Sequence, residues 1–229
     1  MNIHRLAAIL PVAAALCAPS LFAQSLNDVL NAMDAGARKF KSMTAAVRDD
    51  DYTAIVNDHN IQSGAIRVKK SGDTTLMWIA FTGPAAKTIS LDANTVKILN
   101  PKANVVQVYD IGGNRSLIDQ YLLLGFGATS DDLKKAYTIS YVGSETISGQ
   151  PAGNIQLVPK SPEQLRQLAK VNLWISNSLG IPVQQKFWTG SAGDYKLITY
   201  SGVKLNPSLS DKDLQLKTPK DVQIEHVEH

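Results

Sequence analysis

The chain has few residues to spare for catalysis or cross-linking. A single cysteine, Cys17, among 229 residues excludes an internal disulfide framework and any multi-cysteine metal or redox motif. Its four histidines form no H-E-x-x-H run, and no G-x-S-x-G elbow is present, so neither signature supports a zinc hydrolase or a serine hydrolase. A net charge of +3, with no basic run longer than two residues, offers little to a nucleic acid. Beyond the N-terminal stretch, no apolar run approaches the roughly 20 residues that a membrane-spanning helix needs.

What is present begins with an export signal. His4-Arg5 precedes an apolar run from Leu6 to Ala18, and Ala23-Gln24 makes a small-to-polar junction. A basic start, a short apolar region and a small residue at the junction describe a secretory signal peptide, residues 1–23, cleaved after Ala23. Cleavage would remove Cys17, and export without a disulfide fits a soluble periplasmic protein that is stabilised by its core. Residues 24–229 then form one β-rich domain.

Leu26, Val29, Leu30, Met33, Ala37 and Phe40 recur at helical spacing, and Ser25 or Asn27 can cap the helix. From Met43 to Asp110 the chain alternates like β-structure, in segments near 43–56, 61–70, 74–82, 86–91, 95–99 and 104–110. Turn residues such as Ser71-Gly72-Asp73 and Asn100-Pro101 separate them. Short connections favour a meander. Ser130–Ala136 reads as a second helix and Ser161–Gln167 as a third helical turn. Further strands fall near 137–147, 151–159, 170–176, 182–189 and 194–204, with a last one near 213–217 and a frayed tail over 218–229. About ten or eleven strands in one antiparallel sheet curl toward a barrel.

Two segments stand out. Leu76-Met77-Trp78-Ile79-Ala80-Phe81 is apolar on both faces of its pleat and must meet non-aqueous material on each. Residues 115–127, Arg115 to Gly127, form a helical segment with too little charge for a surface position. That segment is either a buried plug or a lid over something apolar that is not always present, with Gly112-Gly113 and Gly125-Phe126-Gly127 as hinges.

The search for reactive groups returns little. His59 lies in a polar turn and reads as a surface residue rather than a base. His226 and His229, with Glu225 and Glu228, read as a solvated tail rather than a metal site. Asp49-Asp50-Asp51 marks a hairpin end and lacks the alternating ligands of a calcium loop. No catalytic set and no metal site emerge, and Trp78, Trp174, Trp188, Phe187 and Tyr121 read as core rather than as a sugar platform.

The order of features resembles the outer-membrane lipoprotein carrier family, LolA, over nearly all of residues 24–229. Gly64-Ala65-Ile66-Arg67-Val68-Lys69-Lys70 is similar to the family's G-x-hydrophobic-x-hydrophobic-K-R-P strand, followed by Trp78 and Pro84 for its W…P strand and turn. Asn100-Pro101 with Val105–Tyr109 resembles the Y-x-P…q-v hairpin. Asn154–Lys160 resembles the L-x-P-K strand, and Val171–Ile175 the strand that ends in W-I-D. Lys70 stands where the family has a functional arginine, and Ser71 stands in place of the proline after it. Asp92-Ala93-Asn94 lacks the family's glycine and tryptophan.

The resemblance implies an unclosed antiparallel β-barrel, mainly β with short α, whose helices cover a hydrophobic concave face. It implies a periplasmic carrier without a cofactor that takes acylated lipoproteins from an inner-membrane ABC transporter to an outer-membrane receptor. Leu76, Trp78 and Ala80 from the two-faced strand, and Ile118, Tyr121, Leu122 and Phe126 from the lid, are the expected cavity lining, with ordinary core packing as the alternative. Lys70 is the candidate lid latch; otherwise it is a solvated strand-end lysine. A sensor or scaffold module that binds a partner protein or envelope lipid without shuttling it would need the same cavity.

Overall fold

Two antiparallel meanders meet in the middle of one sheet. The computed structural model describes residues 24–72, 74–112, 124–189 and 193–227; the signal segment and most of 115–127 lie outside these. The first meander comprises β1 (Ser42–Thr53), β2 (Asp58–Ser71), β3 (Thr74–Thr82), β4 (Lys87–Leu91), β5 (Thr95–Asn100) and β6 (Val105–Asp110). The second comprises β7 (Tyr137–Ile147), β8 (Gln150–Pro159), β9 (Lys170–Ser176), β10 (Pro182–Thr189) and β11 (Asp194–Leu205). The two are joined where β1 pairs with β11, Val47 lying opposite Tyr200. With β12 (Gln223–Val227) the sheet runs β12-β6-β5-β4-β3-β2-β1-β11-β10-β9-β8-β7. Among the described residues its two edge strands do not pair, so the barrel is unclosed as expected.

The helices form where the sequence supplies caps. In α1 (Leu26–Lys39), Ser25 and Asp28 make a reciprocal capping box, and Arg38 and Lys39 occupy the last turn, where positive charge suits the helix dipole. In α2 (Ser130–Ala136), Thr129 and Asp132 do the same. Asp34 of α1 accepts hydrogen bonds from the Ser130 backbone N–H (2.6 Å) and hydroxyl (2.8 Å), tying the two helices together. A shorter helix, α3 (Pro162–Gln167), starts from Ser161 with Pro162 in its first turn.

The end of the chain departs from expectation. The region read as a strand near 213–217 instead holds a 3-10 turn at Asp211–Leu214, closed by a capping box between Ser210 and Asp213. This turn and the residues after it form a strap across the outside of the first meander. Lys69 binds Asp211 at 2.6 Å, and the Arg67 guanidinium donates to the Asp213 carbonyl at 2.9 Å. The residues read as a frayed tail include β12, which runs parallel to β6. Its Ile224 is exposed, so the strand owes its existence to edge pairing rather than to burial and leaves no apolar face for periodicity to detect.

Side chains on the inner face of the sheet form two cores. Beneath the second meander, Val29, Leu30 and Met33 of α1 and Leu133 of α2 pack on Ile155, Leu157, Val171, Leu173, Ile175 and Phe187. Helix α1 approaches so closely that a Cβ on Gly36 would lie 2.4 Å from the Gly180 carbonyl oxygen. Beneath the first meander, Met43, Val47, Ile66, Val68, Met77, Phe81 and Leu91 gather around Phe40 and Phe126. The helices fill the second half of the concavity more completely than the first.

Candidate functional site

A cavity of about 170 Å³ remains in the first half of the concave face. Its walls are Val47, Ile66, Met77, Ile79, Phe81, Ile89 and Ile198, with Tyr200 among them. Register explains the assembly. Ile66 lies opposite Ile79, and Ile79 opposite Ile89, so consecutive strands present one isoleucine each to the same side. Successive side chains alternate between faces of a strand, and Met77, Ile79 and Phe81 therefore turn inward together.

Charge is confined to the rim. Asp49, Lys87 and Lys196 line the cavity, and the Lys196 ammonium reaches both Asp49 oxygens, at 3.1 and 3.2 Å, and also binds Asp51. Burial pushes the Asp49 carboxyl above its ordinary range, and the nearby ammonium only partly offsets this. Burial works against the Lys196 charge as well, yet Asp51 and Asp49 outweigh it and hold the ammonium protonated above its usual range. The rim is thus a fixed ionic mouth above an apolar interior.

One buried polar relay closes the inner end. The Tyr200 hydroxyl donates to Gln185 Oε1 at 2.7 Å, and Gln185 Nε2 donates to the Leu124 carbonyl at 2.6 Å. Burial pushes the Tyr200 phenol far up, so it stays a donor. Phe126 rests edge-on against Tyr200, with ring centroids 5.3 Å apart. A Cβ on Gly125 would meet Pro182 Cγ at 2.6 Å. Residues 124–127 are therefore seated in the core wall, whereas the sequence suggested a hinge there.

Replacing Gln185 with leucine would leave the Leu124 carbonyl and the Tyr200 hydroxyl buried without their partners, at about 1–2 kcal/mol each. The expected result is a loss of ~2–4 kcal/mol and a melting temperature lower by roughly 5–12 °C, measured by thermal denaturation. A drop below 2 °C would show that the relay contributes little.

The residues expected to line the cavity divide. Phe126 lies in the inner core. Ile118, Tyr121 and Leu122 fall outside the described residues. Leu76, Trp78 and Ala80 turn to the outer face. Trp78 lies opposite Arg67, whose guanidinium stacks 4.4 Å from the ring centroid, and the strap residues Asp213, Gln215 and Leu216 share a cleft with it. Leu76 lines a neighbouring cleft with Asp211 and Leu214. Lys70 is exposed at the end of β2, beside Phe40 and Pro207 in an open depression; the segment it was to latch is not described.

Sequence reasoning missed Ile79, Phe81, Ile89 and Ile198 as a set, and also missed Lys196 and Gln185. The signal for the first was the alternation of β2, where Ile66 and Val68 are interleaved with Arg67 and Lys69. Among the described residues no group of three or more His, Cys, Asp or Glu is placed to hold a metal. Nor is any described helix long and apolar enough to cross a membrane.

With this geometry the chain can be set beside known structures. MucB matches over 86% of this chain and 64% of its own length, at 14% identity and a TM-score of 0.55. An uncharacterized conserved protein from Thermus thermophilus matches over 89% of this chain and 100% of its own, at 13% identity and TM-score 0.55. The likeness is one of fold. A LolA superfamily protein of Nitrosomonas europaea, NE2245, also matches, at 14% identity and TM-score 0.39 over 85% of this chain and 99% of that one. The chain spans under two thirds of MucB. No family model and no curated protein matches the sequence.

Proposed function

We propose that the protein is a periplasmic carrier that binds the acyl chains of lipoproteins on its concave face and moves them from the inner to the outer membrane. The observation that carries this reading is the cavity itself. It has an apolar, non-directional wall of Ile66, Met77, Ile79, Phe81, Ile89 and Ile198, and polar groups stand at its rim. Each buried methylene of a lipid tail is worth ~0.8 kcal/mol, so acyl chains need cover in water, and an apolar wall supplies it without chemistry. The cavity lies below the ~300–1,000 Å³ of typical ligand pockets. Loading a whole chain therefore requires the concave face to open further.

An inner-membrane ABC transporter would load such a carrier and an outer-membrane receptor would unload it, with neither a cofactor nor a catalytic step. The test is to purify the protein from the periplasm and identify what comes with it by mass spectrometry. Acylated lipoprotein in stoichiometric amount is the expected result. Recovery of no acylated species, together with no uptake of a fluorescent fatty-acid probe, would refute the reading.

A second reading is a sensor or scaffold module that binds a partner protein or envelope lipid without shuttling it. The fold likeness to MucB favours it, since MucB has been solved in complex with MucA. Free phospholipid in place of lipoprotein in the purified protein would select it.

A further inference from the structure

We propose that the protein docks on an anionic phospholipid bilayer through the tip of its β1–β2 hairpin, and that this brings the cavity mouth to the lipid surface. The inference rests on the lipid-binding reading above. Ile55, Val56 and Ile61 are 85%, 67% and 49% exposed, and all three belong to this one hairpin. Among the described residues the other exposed large hydrophobics, Val142, Leu165 and Ile224, lie on separate elements.

The tip is presented rather than loose. Its 3-10 turn, Ala54–Val56, ends on Asn57 in the left-handed region. The Tyr52 hydroxyl donates to Asn57 Oδ1 at 3.0 Å, and the Ala54 N–H donates to Asp194 Oδ1 at 2.8 Å.

Behind the tip an aromatic row crosses four strands on the outer face. Trp188 lies opposite Tyr195, Tyr195 opposite Tyr52, and Tyr52 opposite His59, with ring centroids 5.5, 4.8 and 4.6 Å apart. Tryptophan and tyrosine have an apolar body and a polar end and settle at the headgroup level of bilayers. Basic side chains flank this row, while the tip itself carries the exposed Asp58. Lys170 and Lys186 lie 4.9 and 3.9 Å from the Trp188 ring, and Arg48 is half exposed. Of the acids beside the row, Asp50 is buried and bound by His59 and Arg48. An apolar point, an aromatic belt and a cationic face are complementary to anionic headgroups over acyl chains.

The cavity opens at the same end. Asp51 and Lys196 face each other one register step from Tyr52 and Tyr195, and Phe81 faces Lys87 at the last pairing of β3 with β4. The ionic rim and the hairpin tip therefore share one end of the barrel, so an acyl chain leaving the mouth would meet lipid before it met water.

Flotation with vesicles of phosphatidylethanolamine containing phosphatidylglycerol, compared with phosphatidylcholine alone, tests this. Wild-type protein should float with the anionic vesicles and release as salt rises. The double substitution Ile55→Asp, Val56→Asp should weaken that binding about tenfold or more while leaving uptake of a fluorescent fatty-acid probe unchanged. Probe uptake without vesicle binding by wild type would overturn the docking proposal, leave the lipid-binding reading standing and point the tip toward a protein partner. Vesicle binding undiminished in the double variant would overturn it equally. Vesicle binding lost on Ile55→Asp, Val56→Asp, with no probe uptake by any form, would keep the docking and sink the lipid-binding reading.

Discussion

Gly180→Ala should destabilise the protein by ~3–5 kcal/mol, whereas Gly72→Ala should cost only about 1–2 kcal/mol. Both glycines hold positive φ, +66° and +59°, a conformation that an L-residue adopts only at a cost. They differ in what a new Cβ would meet. At Gly72 nothing lies within 4 Å, so only the backbone strain remains. At Gly180 the methyl would sit 2.1 Å from the Ala32 carbonyl oxygen and 2.9 Å from the Gly36 backbone. Helix α1 would have to lift from the sheet, which loosens Val29, Leu30 and Met33 from their contacts with the second meander. For a chain of this size the melting temperature should fall by roughly 6–20 °C at Gly180 and by a few degrees at Gly72. Equal shifts for the two variants would mean that conformational strain alone sets the cost and that the close helix approach is unimportant.

This contact shows what a sequence can and cannot display. The periodicity of 26–40 identifies α1 because burial of one face is written into residue spacing. The strand boundaries are legible too, because turn residues such as Ser71-Gly72 and Asn100-Pro101 mark them. The docking of α1 on Gly180 is not, since one glycine in a turn does not reveal which helix passes over it. The face of β3 was hidden for a different reason. Leu76 to Phe81 is apolar on both sides, and a one-residue change of register exchanges the two faces completely. The outer face carries Leu76, Trp78 and Ala80 because the strap at 211–217 covers part of it, and the sequence of that strap suggests another strand. Only the neighbouring strand resolves the ambiguity: Arg67 lies opposite Trp78 and Lys69 opposite Leu76, so their side is outward, while Ile66 lies opposite Ile79. The relay from Tyr200 through Gln185 to Leu124 spans elements far apart in the chain and has no local signature.

Ile79→Trp should abolish most acyl binding while the fold survives. Ile79 is half-buried and stands midway across the cavity wall, between Ile66 and Ile89. An indole there projects into the space of about 170 Å³ that the proposed function assigns to a lipid tail. Excluding three methylenes forfeits about 2.4 kcal/mol, or roughly 50-fold in affinity. Overpacking a full core costs ~1–3 kcal/mol, and the cavity volume relieves part of this, so the melting temperature should change little. The paired control is Trp78→Leu, one residue away on the same strand. Because Trp78 stacks against Arg67 outside the sheet, its loss should weaken the strap but leave the affinity for a fluorescent fatty-acid probe unchanged. Titrating the probe into both variants separates the faces. Loss of binding in Trp78→Leu with retention in Ile79→Trp would place the lipid on the outer face and refute the concave site.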